Sequence, residues 1–345
     1  MSARRWRLVA KVIVGVVALA LVTAAVAFMT ARAKLAQPVV SGDTAVTLVV
    51  APGMSFRDVA RTLAAGGGFA EHRLLTWYAR WRDVAGQVQA GEYLVAPGTS
   101  VDAFLKQLVD GDVVLHSLTV VEGWTFAQFL AALRGHPDVR QTLTGMDEAA
   151  VMAALGYAGE HPEGRFFPET YSFARGTSDR KILQQAYGAM RKRLDAAWAA
   201  RSETCPLTSA YEALILASII EKETGRADER RQIAGVFCRR LAKGMRLQTD
   251  PTVIYGLGKG FNGNITRRDL RTDTPYNTYT RSGLPPTPIA LPGAGSLAAA
   301  VNPQSGDSLF FVATGDGDGG HYFSRTLAEH EQAVARYLAK IRAPK

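Results

Sequence analysis

The chain is 345 residues long, with 40 basic against 31 acidic side chains and a formal charge of +9. Much of that excess sits at the N-terminus, and the mild remainder suits an anionic polymer or a membrane surface; no basic stripe interleaved with aromatics appears, which argues against a nucleic-acid binder. Cys205 and Cys238 are the only cysteines and lack C-x-x-C spacing, which excludes a cysteine zinc site and leaves a disulfide open if the chain lies outside the cytoplasm.

Residues 12–31 are uncharged and mostly apolar, the length a helix needs to cross a bilayer. Arg4, Arg5, Arg7 and Lys11 precede the run, while Arg32 and Lys34 follow it, so the positive-inside rule predicts a cytoplasmic tail over 1–11 and an exported remainder. Thr30-Ala31-Arg32-Ala33 offers a cleavage site for the competing reading, a signal peptide, but the apolar run is longer than a signal core. A linker is expected over 32–44, with Pro38 and Gly42 in it.

About 310 residues then remain, enough for one large domain or two ordinary ones. A weak threefold repeat opens this part: Val50-Ala51-Pro52-Gly53-Met54-Ser55, Val95-Ala96-Pro97-Gly98-Thr99-Ser100 and Val121-Glu122-Gly123-Trp124-Thr125. Each reads as a strand, a glycine turn and a capped amphipathic helix. The pattern resembles LysM-type modules, small βααβ units that bind N-acetylglucosamine-containing glycans, and the resemblance implies a peptidoglycan-binding region over 45–160. A scaffold that binds nothing has the same local pattern.

The region 161–345 begins with the aromatic-rich Glu163-Gly164-Arg165-Phe166-Phe167-Pro168-Glu169-Thr170-Tyr171. A long amphipathic helix is predicted over 179–201 behind the cap Ser178. Ser209 and Glu212 fit an S-x-x-E capping box for a helix that is apolar or small from Ala213 to Ile220 and so is buried on all sides, with Gly225 expected at its C′ position. It ends in Glu221-Lys222-Glu223-Thr224. At 100° per residue, Glu221 shares the face of Leu214, Ala217 and Ser218, and Glu223 points roughly 200° away. A carboxyl group partly removed from water can hold a proton and still give it away, so both are candidate general acids, and spacing alone does not choose between them.

Another amphipathic helix is predicted over 229–242. Gln248, Thr249 and Asp250 then crowd polar groups into a turn before Pro251, where Asp250 fits either a site residue or a helix cap. Asn277, Thr278 and Tyr279 add hydrogen-bonding groups ahead of a proline-rich wall at 283–293. A strand at 308–313 and a turn holding Asp316 and Asp318 lead to His321. That turn lacks the EF-hand loop, so no metal is expected.

Taken in order, ASIIEKET, RLQTDPTVIYG, DTPYNTY, GLPPTPIALPG, VNP and GGHYFS resemble the endolytic murein transglycosylases of the YceG-like family. The resemblance implies an α+β protein: a single transmembrane helix, a LysM-like module, and a mixed α+β catalytic domain built around the buried helix. It implies cleavage of nascent peptidoglycan between N-acetylmuramic acid and N-acetylglucosamine, leaving 1,6-anhydro ends, with no cofactor. Glu221 is then the catalytic glutamate. Gln248, Asp250, Tyr255, Asn277, Tyr279 and His321 are expected to contact the glycan, and Glu223 to pair with Arg226 or Arg230. Implied partners are glycan strands, the inner membrane and the wall-synthesis machinery. Thr287, where the family commonly has glycine, and Glu169, where aspartate is usual, depart from the pattern. A hydrolytic muramidase and a non-catalytic glycan-binding scaffold are the alternatives.

Overall fold

A computed structural model describes residues 3–342, with side chains described from Trp6. The first two residues of the expected tail and the last three of the expected C-terminal region lie outside the described residues. The chain divides into two compact units: one running to His116, with Ala174–Gly176, and one comprising 117–173 and 177 onward.

In the first unit, helix α1 (Ala3–Leu35) is long and apolar enough to cross a membrane, and its hydrophobic side chains are exposed along its length. It runs past residue 31 into the expected linker, most of which is not a free tether. Val39 and Val40 are 1% and 2% exposed in the unit's core, and the Val39 N–H donates to Thr99 O at 2.7 Å. Strand β1 (Val46–Val50), helices α2 (Phe56–Ala65) and α3 (His72–Trp81), and strand β2 (Gly91–Val95) follow, then α4 (Val101–Asp110). The strands pair antiparallel from Val46↔Val95 to Val50↔Gly91, giving a β-α-α-β order. Leu48, Tyr93 and Val95 face Val59, Leu63, Leu75, Phe104 and Leu108, all fully buried. Each such side chain contributes about 1.5–3 kcal/mol through burial. Ser55 and Ser100 cap α2 and α4 as their spacing predicts.

Strand β3 (Leu115–Thr119) leads into the second unit, with α5 (Phe126–Gly135), α6 (Glu148–Leu155), β4 (Thr170–Ala174), α7 (Asp179–Ala199), α8 (Ala210–Glu223), α9 (Arg230–Ala242), α10 (Asp250–Leu257), α11 (Arg267–Arg271), α12 (Ala294–Val301), β5 (Phe310–Ala313), β6 (His321–Ser324) and α13 (Leu327–Arg342). β3 pairs with β4, and β5 with β6 in antiparallel register. The architecture is mixed α+β. Residues 117–160, grouped by their repeat with the preceding region, pack here instead: Phe126, Phe129, Leu133, Val151 and Met152 bury against Phe166, Tyr171, Ile182 and Leu291. The aromatic segment 166–173 is therefore core.

Helix α8 is the centre of the unit. Every residue from Ala213 to Ile220 is buried, as its unbroken apolar run requires, and α7, α9 and α12 pack around it. Ser209 accepts from Glu212 N at its start. Its end differs from expectation: Thr224 turns extended (φ −145°, ψ 135°), its hydroxyl accepts from Arg226 N at 3.0 Å, and Gly225 takes no left-handed conformation. Cys205 and Cys238 form a disulfide, Cα to Cα 4.9 Å, that fastens the segment before α8 to α9.

Candidate active site

The two carboxylates at the end of α8 engage different loops, as their angular separation predicts. One turn apart on one face, Ser218 and Glu221 both receive backbone N–H groups from the proline-rich segment: Ile289 N donates to Ser218 Oγ at 3.0 Å and Gly293 N to Glu221 Oε2 at 2.9 Å. That segment is held from its other side, where Gly123 N donates to Leu291 O at 2.9 Å and Leu291 N to Trp124 O at 2.7 Å. The proline-rich stretch is thus clamped between α8 and the turn at 123–124.

Glu221's side chain is 6% exposed and lies 3.8 Å from Arg230 Nη2, which is also 3.7 Å from Glu122 Oε2. Two carboxylates therefore share one guanidinium. Burial holds Glu122 above its ordinary pKa and the charge of Glu221 adds to this, while Arg230 opposes it. Glycines leave the space: a Cβ on Gly293 would fall on the Glu122 carboxylate, and one on Gly295 would meet Arg230 Nη1 at 2.4 Å. Glu122 is absent from the sequence-derived candidates. Its signal was in the repeat, where Pro52 and Pro97 occupy the place before glycine that Glu122 takes in the third copy.

Glu223 opens onto a separate cleft of about 560 Å³, lined among others by Arg240, Gln248, Asp250, Tyr279, Phe311 and His321. Burial pushes its pKa up to about 7; the Thr249 hydroxyl, which donates to it, and Arg240 pull the other way, while the charge of Asp250 adds to the rise. Its expected pairing with Arg226 or Arg230 does not occur. Arg226 pairs with Asp228 and Asp318, and Arg230 turns to Glu122 and Glu221.

Four of the six residues expected to contact glycan line this cleft. The Tyr279 hydroxyl donates to Asp250 Oδ1 at 2.5 Å, and burial raises its pKa. Gln248 has φ +52°, a left-handed backbone uncommon outside glycine, and its N–H donates to Thr278 O at 3.1 Å. His321 is gripped by Glu229, which accepts from its backbone N–H at 3.1 Å and lies 2.7 Å from Nδ1.

The other two sit elsewhere. Asn277 is 1% exposed, with its amide NH₂ directed at the carbonyls of Thr272, Asp269 and Leu270 and its oxygen accepting from Tyr279 N. Its hydrogen bonds are used within the loop, so it shapes the 269–279 turn and offers nothing to a sugar. Tyr255 donates to Glu163 Oε2 at 3.1 Å instead of facing the cleft. Glu163 is 4% exposed and also accepts from Phe126 N at 2.9 Å; burial pushes its pKa up to about 7 against those two hydrogen bonds.

The YceG-like family model matches residues 48–336, which includes every residue of both clusters. The chain belongs to the YceG-like family. A Bacillus subtilis relative, an endolytic murein transglycosylase, is 31% identical over 332 residues, 91% of this chain and 90% of its own length. A second of that name, from Streptococcus pneumoniae, is 28% identical over 328 residues, 85% of this chain and 58% of the longer relative. The crystal structure of a YceG-like protein from Listeria monocytogenes superposes with a TM-score of 0.51 at 32% identity, covering 84% of this chain and 99% of that one.

Both departures from the YceG-like sequence pattern have a place in the structure. Thr287 is buried, its hydroxyl 2.8 Å from that of Tyr276. Glu169 accepts from Arg193 Nη2 at 3.0 Å.

Proposed function

We propose that this chain is a membrane-anchored endolytic murein transglycosylase that cuts nascent peptidoglycan between N-acetylmuramic acid and N-acetylglucosamine and leaves 1,6-anhydro ends. The observation that carries the reading is the family match over most of the chain, together with a relative of that name aligned over nearly its whole length. Glu221 is proposed as the catalytic group. It first protonates the glycosidic oxygen; the muramic acid 6-hydroxyl then attacks the anomeric carbon and gives its proton to the resulting carboxylate. Glycosidases that use water need two carboxyl groups. Intramolecular attack replaces the second, with the large effective-molarity advantage of a tethered nucleophile.

The helix α1 supports a single-pass anchor in the plasma (inner) membrane with the N-terminus inside. The Cys205–Cys238 disulfide agrees with an oxidising, extracytoplasmic compartment for the second unit. The β-α-α-β order of residues 46–95 supports a LysM-like glycan-binding role for the first unit. Anchoring favours nascent strands and contact with the wall-synthesis machinery.

One observation favours a second assignment of the acid: Glu223, with its raised pKa, lies in the same cleft as Gln248, Asp250, Tyr279 and His321. Digestion of purified glycan strands, with products weighed by mass spectrometry, separates the readings. Anhydro ends from wild type and from Glu223→Gln but not from Glu221→Gln support the proposal. Reducing ends identify a hydrolase, loss in Glu223→Gln alone moves the acid to that residue, and binding to sacculi without cleavage by the wild type leaves a scaffold.

A further inference from the structure

Helix α3 carries a face that nothing in the first unit covers. Helical spacing places Arg73, Trp77, Arg80 and Trp81 within about 100° of one another, with the buried Leu75 and Ala79 on the opposite side and Thr76 at the edge of the face. All four are exposed; Trp77 and Trp81 are 57% and 68% exposed, with rings almost parallel and centroids 6.4 Å apart. Two adjacent tryptophans left in water mark an interaction surface.

The course of the chain says what lies beside it. α1 ends at Leu35, four residues beyond the apolar run and so about 6 Å past the hydrocarbon if the helix spans it. There Lys34 pairs with Glu71, the residue that precedes α3, and Leu35 packs on the core of the unit. The start of α3 is therefore held at headgroup depth, and ten helical residues reach only about 15 Å from it.

Charge agrees. Glu71 is engaged by Lys34, and Asp102 by Arg82 at 2.9 Å. Arg73 and Arg80 make no ion pair among the described residues, and Asp83 is the acid left near them in sequence. Tryptophan favours the membrane–water boundary, where its ring is half in the acyl region and its N–H stays wet, and arginine favours anionic phosphates.

We propose that the Arg73, Trp77, Arg80 and Trp81 face of α3 docks onto the lipid surface, with the indole rings among the headgroups and the arginines on anionic phosphates. Docking fixes the first unit against the bilayer instead of letting it swing on α1. The inference rests on the reading that α1 spans the membrane.

The test uses the full chain in nanodiscs of phosphatidylcholine and phosphatidylglycerol carrying acyl chains brominated near the headgroup, which quench nearby tryptophan. Trp6, at the other end of α1, is the reference and is read by difference with Trp6→Phe. The pair is read by difference with the Trp77→Phe/Trp81→Phe variant, whose exposed substitutions leave the core untouched. Quenching of the pair, reduced at least about threefold by Arg73→Glu/Arg80→Glu, is the expected result. Quenching of Trp6 without quenching of the pair overturns docking and leaves the anchor standing. Absence of quenching at Trp6 as well removes the anchor and docking together. A pair whose emission responds to soluble chito-oligosaccharide but not to brominated lipid is a sugar platform, and the proposal fails.

Discussion

Glu221 accepts a hydrogen bond from the amide of Gly293 at 2.9 Å, so the residue proposed as acid also fastens the proline-rich segment to the end of α8. A substitution that removes only the ionisable proton must therefore keep an acceptor. Glutamine does, because its carbonyl oxygen can still take the Gly293 N–H. Glu221→Gln is expected to reduce glycan cleavage by about 10²- to 10⁴-fold, the usual span of general acid–base catalysis, with the melting temperature close to wild type. Glu221→Ala also leaves that N–H without its partner and leaves Arg230 with Glu122 alone, so a drop in melting temperature accompanies the lost activity. Thermal unfolding and product yield measured on the two variants separate the chemical role from the structural one.

The two carboxyl groups raised to about 7, Glu163 and Glu223, make stability depend on pH in a stated direction. Each has a folded pKa above its ordinary value of 4.5, so the folded state binds more protons than the unfolded one between those limits. Stability contributed this way is fully present below about pH 4.5 and is lost as pH rises through 7. Each group contributes on the order of 3 kcal/mol across that window. Glu163→Gln can still accept from Phe126 N, and it is expected to flatten the fall of stability between pH 5 and 8. Urea unfolding at several pH values checks this, and a variant whose slope matches wild type would refute it. Glu223→Gln is expected to flatten the same window independently.

These particulars also show what was legible in the sequence. The burial of α8 and the divergence of Glu221 from Glu223 follow from an apolar run and a 100° step, both local properties. The strand, glycine turn and capped helix at α2 and at α4 came from turn glycines and caps in the same way, whereas the β-α-α-β order was implied only by the LysM resemblance and α3 carries no side-chain cap to announce it. Glu122 beside Arg230, Glu163 beneath Tyr255, and the turning of Asn277 into its own loop were not legible. Each depends on a partner brought in by the tertiary fold, and periodicity carries no information about that. Asn277 shows the cost most plainly, since a polar residue in a loop reads as a ligand contact until its amide N–H groups and its oxygen are found engaged by backbone.

The disulfide gives a prediction independent of the site. Cys205 and Cys238 are separated by 33 residues, and closing a loop of that length raises the free energy of the unfolded chain by about 3–4 kcal/mol at 25 °C through lost conformational entropy. Cys205→Ser/Cys238→Ser is expected to lose most of that stability while keeping glycan cleavage at temperatures where it remains folded. The bond joins the segment before α8 to α9, and neither cysteine is among the residues lining the Glu223 cleft. Thiol titration with and without reductant, followed by unfolding of the double variant, measures both the bond and its contribution.

Two helical glycines should respond to alanine with opposite signs. Alanine has the higher helix propensity by about 1 kcal/mol, so Gly→Ala stabilises where a Cβ has room. Gly188 on α7 is exposed, with open space for at least 4 Å around the place a Cβ would take, and Gly188→Ala is expected to raise stability by up to about 1 kcal/mol. Gly235 on α9 is buried, and its Cβ would lie 2.4 Å from the backbone oxygen of Gln304. That oxygen cannot step aside cheaply, because Gln304 N donates to Arg231 O at 2.8 Å and Arg239 Nη1 donates to the oxygen itself at 3.1 Å. Overpacking of this kind costs about 1–3 kcal/mol, enough to outweigh the propensity gain. Gly235→Ala should therefore melt several degrees lower and Gly188→Ala slightly higher. If both substitutions stabilised, the segment at 302–304 would not lie against α9 as described.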